Sequence, residues 1–177
     1  MDKLHFANLQ AGRKAYQLQR TQNLRQLQTE LLTKSATEIG LLPQRELFLV
    51  GIALYWAEGF KHKDESSLGF CTSDPNMAKI YLRWLNSCLQ VGIENIALRV
   101  TINYSHLDRL PAISHFWSSE LEIPQTQFTK PFFQKTTWAK SYPNRETYHG
   151  VIRIRVKKSL HLLRRMRGWL AGLASIG

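Results

Sequence analysis

The stretch Gly51 to Gly59, GIALYWAEG, ends an uncharged apolar run on a carboxylate and a glycine. From Leu47 to Ala57 every residue is apolar or glycine, which predicts a buried helix with Glu58 and Gly59 at its end. A carboxylate at the negative end of a helix dipole is favoured only beside a cation, and a divalent metal would supply that charge. The plain alternative is a core helix whose first exposed residue is Glu58, with Gly59 as its C-cap. Ala53 and Ala57 lie four apart on one helix face, where small side chains let a second backbone come close. Farther along, Arg153, Arg155 and Lys157 alternate with Ile152, Ile154 and Val156, and Arg99, Thr101 and Asn103 alternate with Leu98, Val100 and Ile102. Both patterns predict strands with one apolar face and one polar or basic face.

Charge is distributed unevenly. The chain of 177 residues carries +11. Residues 1–40 hold 6 Lys/Arg against 3 Asp/Glu, residues 41–126 hold 7 against 9, and residues 127–177 hold 11 against 1. A near-neutral middle with a strongly basic final third is the footprint of a polyanionic partner, nucleic acid before acidic membrane. The apolar run of eleven residues is well short of the roughly 20 needed to cross a bilayer, so no membrane partner is expected. Cys71 and Cys88 lack metal-ligand spacing, and the opening MDKLHFANLQAGRKAY has no apolar core of a signal peptide. Reduced thiols in a cytoplasmic protein are the expectation, at the nucleoid if the host is bacterial.

GIALYWAEG resembles the nine-residue motif of the LAGLIDADG homing endonucleases, with Ala53 and Ala57 at its small interface positions and Glu58 and Gly59 as its terminal acid and glycine. Trp56 stands where the family has its first aspartate, and Gly51 and Ile52 replace its leading Leu-Ala. The resemblance covers roughly residues 45–177. It implies a sheet with helices on its apolar side and double-stranded DNA on its polar side, and two motif helices packed together. Their terminal acids hold Mg²⁺ or another divalent cation. One Glu58 per chain is too little for a metal site, so a single motif implies a homodimer with Ala53, Ala57 and Gly59 at the contact. The resemblance also implies a basic sheet residue near the scissile phosphate, for which Lys130 and Arg99 are the candidates. Glu58 and Lys130 are then the catalytic pair, Glu58 the metal ligand, and Arg99, Thr101, Asn103, Lys130, Arg153, Arg155 and Lys157 the DNA-binding residues.

The elements that position these residues are readable in outline. Residues 6–39 contain no proline and predict one long helix or two in sequence, either a basic arm with a docking stripe at Leu24, Leu27 and Leu31 or a solvated surface helix. A boundary near Gly40 separates this arm, residues 1–40, from a domain of residues 41–177. Asp74 and Pro75 open a helix with Met77, Ile80, Tyr81, Trp84, Leu85, Cys88 and Leu89 inward. Ser105 and Asp108 suggest a capping box for a helix through Trp117 that Pro111 either kinks or begins. Gln127 to Phe133 reads as a strand, and Gln134 to Glu146 as a long loop or ragged hairpin. Val151 to Lys157 is a strand, followed by a helix capped by Ser159 with Leu160, Leu163, Leu170 and Leu173 inward. The fold class expected is α+β, a LAGLIDADG-like module with a mixed or antiparallel sheet, helices on one face and an N-terminal helical arm.

Other chemistries find little in the sequence. The six histidines show no zinc spacing, and no glycine-rich phosphate loop follows a strand. Three functions compete: a metal-dependent DNA endonuclease, a DNA-binding regulator that keeps the module without cleavage, and a helix-paired interaction module whose basic surface serves RNA or solubility. Glu58 favours the first and Trp56 the second.

Overall fold

A computed structural model describes residues 3–135 and 145–176. The chain divides into two compact units, residues 1–42 and 43–177. The first is a single helix, α1 (Lys3–Ile39), closed by Gly40 at φ +57°. Every residue from Asn8 to Gly40 is exposed, and Thr21, Thr29 and Thr33 return their hydroxyls to carbonyls one turn back.

The second unit is α+β. Its elements are α2 (Gln44–Glu58), β1 (Gly69–Thr72), α3 (Pro75–Leu89), β2 (Ile96–Asn103), α4 (Leu110–Leu121), β3 (Phe132–Gln134), β4 (Val151–Val156) and α5 (Leu160–Ala174). The sheet is mixed and runs β1-β4-β2-β3, with antiparallel pairs except for β2 beside β3. Leu98, Val100, Ile102, Ile152, Ile154 and Val156 are buried together on one face. Phe70 continues that face on β1 and stacks on Tyr81 of α3, ring centroids 4.1 Å apart. α2 crosses α3 at Gly51, where a Cβ would fall inside the Trp84 indole. Only glycine permits that approach.

Asp74 caps α3 by accepting from the amides of Asn76 and Met77 at 2.8 and 3.4 Å. Tyr81, Trp84 and Leu85 are buried as the stripe requires, but Ile80 is 39% exposed and Ala78 takes an inward place. The capping expected of Ser105 is performed by Asn103, whose side chain accepts from the Ser105 amide and starts a 3-10 turn, Tyr104–Arg109. α4 begins after that turn, with Pro111 in its first turn, and Asp108 pairs instead with Arg145. The strand expected over residues 127–133 is shorter: Gln125–Gln127 forms a 3-10 turn, Phe128 makes one bridge to Leu98, and pairing begins only at Phe132. Pro131 explains the late start, since it has no amide to give the ladder. Most of the long loop or ragged hairpin expected over Gln134 to Glu146, residues 136–144, lies outside the described residues.

Ser159 is the N-cap residue of α5, as expected, and its carbonyl accepts from the Leu163 amide at 3.0 Å, but its side chain makes no capping bond. Its buried hydroxyl accepts from the Leu68 amide at 2.8 Å and donates to the Val156 carbonyl at 2.7 Å, tying the start of β1 to the end of β4. The inward residues of α5 are Leu162, Leu163 and Met166, while Leu160 is 40% exposed. Among the described residues no helix is long and apolar enough to cross a membrane.

Candidate nucleic-acid interface

The helix expected to be buried is buried on one side only. Leu47, Gly51, Ile52 and Tyr55 face the core, whereas Leu49, Ala53, Trp56 and Ala57 form an open apolar face, Trp56 being 47% exposed. Gly59 is not on that face. It is the C-cap, in an extended conformation at φ −75°, and its amide donates to the Tyr55 carbonyl at 2.8 Å. A Cβ there would collide with that carbonyl and the Tyr55 ring, so glycine is required by close packing within the chain, not by a partner's approach. Lys61 donates its Nζ to the Trp56 carbonyl, placing a cation at the negative end of the helix.

From Gly59 the chain runs onto the edge of the sheet. Gly59 bridges Phe70, and the Phe60 amide donates to the Gly69 carbonyl at 2.8 Å. Glu58 therefore sits beside β1, exposed, with its carbonyl 3.9 Å from the Cys71 thiol. Burial pushes that thiol's pKa up; the positive charge of Arg153 opposes the rise and the negative charge of Glu58 adds to it. Cys71 pairs with Arg153 of β4, and Arg153 with Arg99 of β2, so one row across the sheet runs Cys71, Arg153, Arg99.

The two strand arginines differ in how they are held. Arg155 gives its guanidinium to Glu65 at 2.9 Å and to the Ser67 hydroxyl at 2.8 Å. Arg153 lies over the Phe60 ring, 4.6 Å from its centroid, and is paired with no carboxylate among the described residues. Phe60 covers the outward side of Gly69, where a Cβ would overlap its ring. Arg99 is exposed and reaches the Thr129 hydroxyl at 3.4 Å.

Several expected contacts are arranged otherwise. Thr101 and Asn103 are 6% and 5% exposed, enclosed by the sheet and the turn that Asn103 caps, so neither presents itself to a ligand on the open surface. Lys157 lies beyond the end of β4 and donates to the Glu94 carbonyl at 2.9 Å. Lys130 is exposed but follows Thr129, which is bonded to β2 on its β3 side; Glu58 is at the β1 edge. Three strand steps of ~4.8 Å separate those edges, so one chain does not bring Glu58 and Lys130 together. Arg153 takes the near position instead. Phe60 and Lys61 carry no signal in the sequence, since they fall in a polar turn with no periodicity, and Glu65, a conceivable metal ligand by residue type, reads there as part of the same turn.

Among the described residues no three His, Cys, Asp or Glu side chains gather as a cation site. Glu58 of a single chain does not by itself fit a divalent metal, which takes six or more oxygen ligands. No protein-family model, curated protein or solved structure matches the chain.

Proposed function

We propose that residues 43–177 are a LAGLIDADG-like module that binds double-stranded DNA on the arginine-bearing side of its sheet, as a homodimer joined through the open face of α2. One observation carries the reading: the exposed small-residue face at Ala53 and Ala57 runs directly into Glu58, which abuts the row Cys71, Arg153, Arg99. Two copies joined on that face bring two Glu58 carboxylates to the junction of two basic sheet surfaces. Phosphate oxygens and both carboxylates together fit the hard-oxygen shell of Mg²⁺. A cation held there would polarise the scissile phosphate and lower the pKa of water. Glu58 would hold the metal, and Arg153 and Arg99 would hold the strand.

A second reading keeps the dimer and the DNA and drops cleavage. It is favoured by Trp56, a large exposed indole where the family has its first acid. The test is metal-dependent nicking of plasmid and genomic-fragment DNA by purified protein, run beside a binding assay on the same DNA. Nicking that requires Mg²⁺ and disappears in Glu58→Gln supports the endonuclease. Specific binding without nicking moves the conclusion to the regulator, and no binding removes both.

A further inference from the structure

Beside its arginines, the outward side of the sheet carries an exposed aromatic ring. Phe132 opens β3 in register with Thr101 of β2 and is 46% exposed. Register partners share a face, so Phe132 stands on the side of Arg99 and Arg153. Its neighbour Phe133 turns to the other side and meets Tyr104 edge-on, 6.1 Å between centroids. The Thr101 hydroxyl is closed off at this spot with no hydrogen-bond partner among the described residues. Two residues along β2 and one strand across, Phe132 lies roughly 8 Å from Arg99 by sheet geometry, a span that a base and its own phosphate bridge.

We infer that Phe132 stacks an unpaired base of a DNA strand whose phosphate lies on the Arg99 and Arg153 pair, so that this face prefers DNA with an unstacked nucleotide over uninterrupted duplex. The inference rests on the proposed reading of this surface as the DNA face. In regular duplex each base is covered by its neighbours, and no ring face is open to Phe132. A bulged nucleotide offers one, and its phosphate is the anion that two arginines without a carboxylate partner among the described residues call for. A second copy of this surface would bring the same positive charge and no anion.

The experiment is fluorescence anisotropy with two labelled duplexes of one sequence, intact and carrying a single 2-aminopurine bulge, against wild type, Phe132→Ala and Phe132→Trp. Wild type is expected to bind the bulged duplex more tightly. Phe132→Ala is expected to lose about fivefold to 150-fold on the bulged duplex and little on the intact one, with Phe132→Trp restoring affinity. The 2-aminopurine fluorescence should be quenched by wild type and Phe132→Trp but not by Phe132→Ala. Equal affinity of wild type and Phe132→Ala for the bulged duplex overturns the inference and leaves duplex binding standing. Failure to bind either DNA overturns the DNA reading and the inference together. A changed sedimentation coefficient of Phe132→Ala with unchanged binding places the ring at a protein contact and overturns the inference too.

Discussion

Arg99 of β2 and Arg153 of β4 stand directly opposite each other in antiparallel register, and neither is paired with a carboxylate among the described residues. Like charges in that relation destabilise a sheet, and the Phe60 ring under Arg153 eases that cost in part. Such a pair is suited to an external anion. Arg99→Gln is therefore expected to stabilise the fold by about 0.2 to 1 kcal/mol while lowering the salt slope of log K on duplex DNA by about 0.9. Urea denaturation and anisotropy at several salt concentrations read the two effects separately. A variant less stable than wild type with an unchanged slope would assign Arg99 to the sheet alone.

Arg155 behaves differently because Glu65 already holds it. Glu65→Gln should free the guanidinium, raising duplex affinity and increasing the salt slope by up to about 0.9. Arg155→Gln in the otherwise wild-type chain should leave the slope unchanged. If the slope falls in that variant, the ion pair opens for DNA and Arg155 is a contact in its own right.

The two faces of α2 separate packing within the chain from the contact proposed between chains. Gly51→Ala thrusts a methyl into Trp84 and is expected to cost roughly 1 to 3 kcal/mol of folding stability. Ala53→Leu and Ala57→Leu point into open space and should leave the folding of the monomer nearly unaffected, yet weaken the dimer. Sedimentation across a concentration series, with denaturation below the dissociation constant, distinguishes them. An unchanged dimer in both leucine variants removes α2 as the contact.

On the proposed reading, Glu58→Gln should abolish any Mg²⁺-dependent cleavage and leave DNA affinity largely intact, since Glu58 is exposed and belongs to no ion pair among the described residues. Undiminished cleavage by the purified variant places the metal elsewhere.

His106 and His149 give the fold a pH dependence of known sign. Burial lowers the pKa of each below 6.5; for His106 Arg145 and then Arg109 add to the fall and Asp108 opposes it. For His149 Arg109 adds, while the Thr147 backbone hydrogen bond and Glu120 oppose. Below the unfolded value near 6.5 the unfolded chain takes up protons that the native chain resists. This stability is thus complete above that pH and is lost as pH falls through the lowered native values. Urea midpoints between pH 8 and pH 5 should decline on the acid side. His149→Phe, which keeps a ring stacked on Phe116, should flatten the decline. An identical decline in that variant assigns the effect to other groups.

Strand and helix faces governed by burial were legible in the sequence. Ile152, Ile154 and Val156 alternate because a half-buried strand sorts side chains with a period of two, and Asp74 with Pro75 starts α3 because the first turn has amides to satisfy and tolerates a residue without one. The motif helix was legible as a helix, but not which of its faces lay open: Leu47 and Leu49 are chemically alike, and only the position of Trp84 over Gly51 decided which was enclosed. Nor could spacing place the charges. Arg153 and Arg155 read alike in the sequence and both meet the Phe60 ring, but Arg155 also meets a glutamate from a turn about 90 residues away in the chain. Strand order set Lys130 at the edge opposite Glu58 and Arg99 against Arg153. Local pattern records what each residue must do with water; which charges become neighbours depends on long-range pairing, which local pattern does not encode.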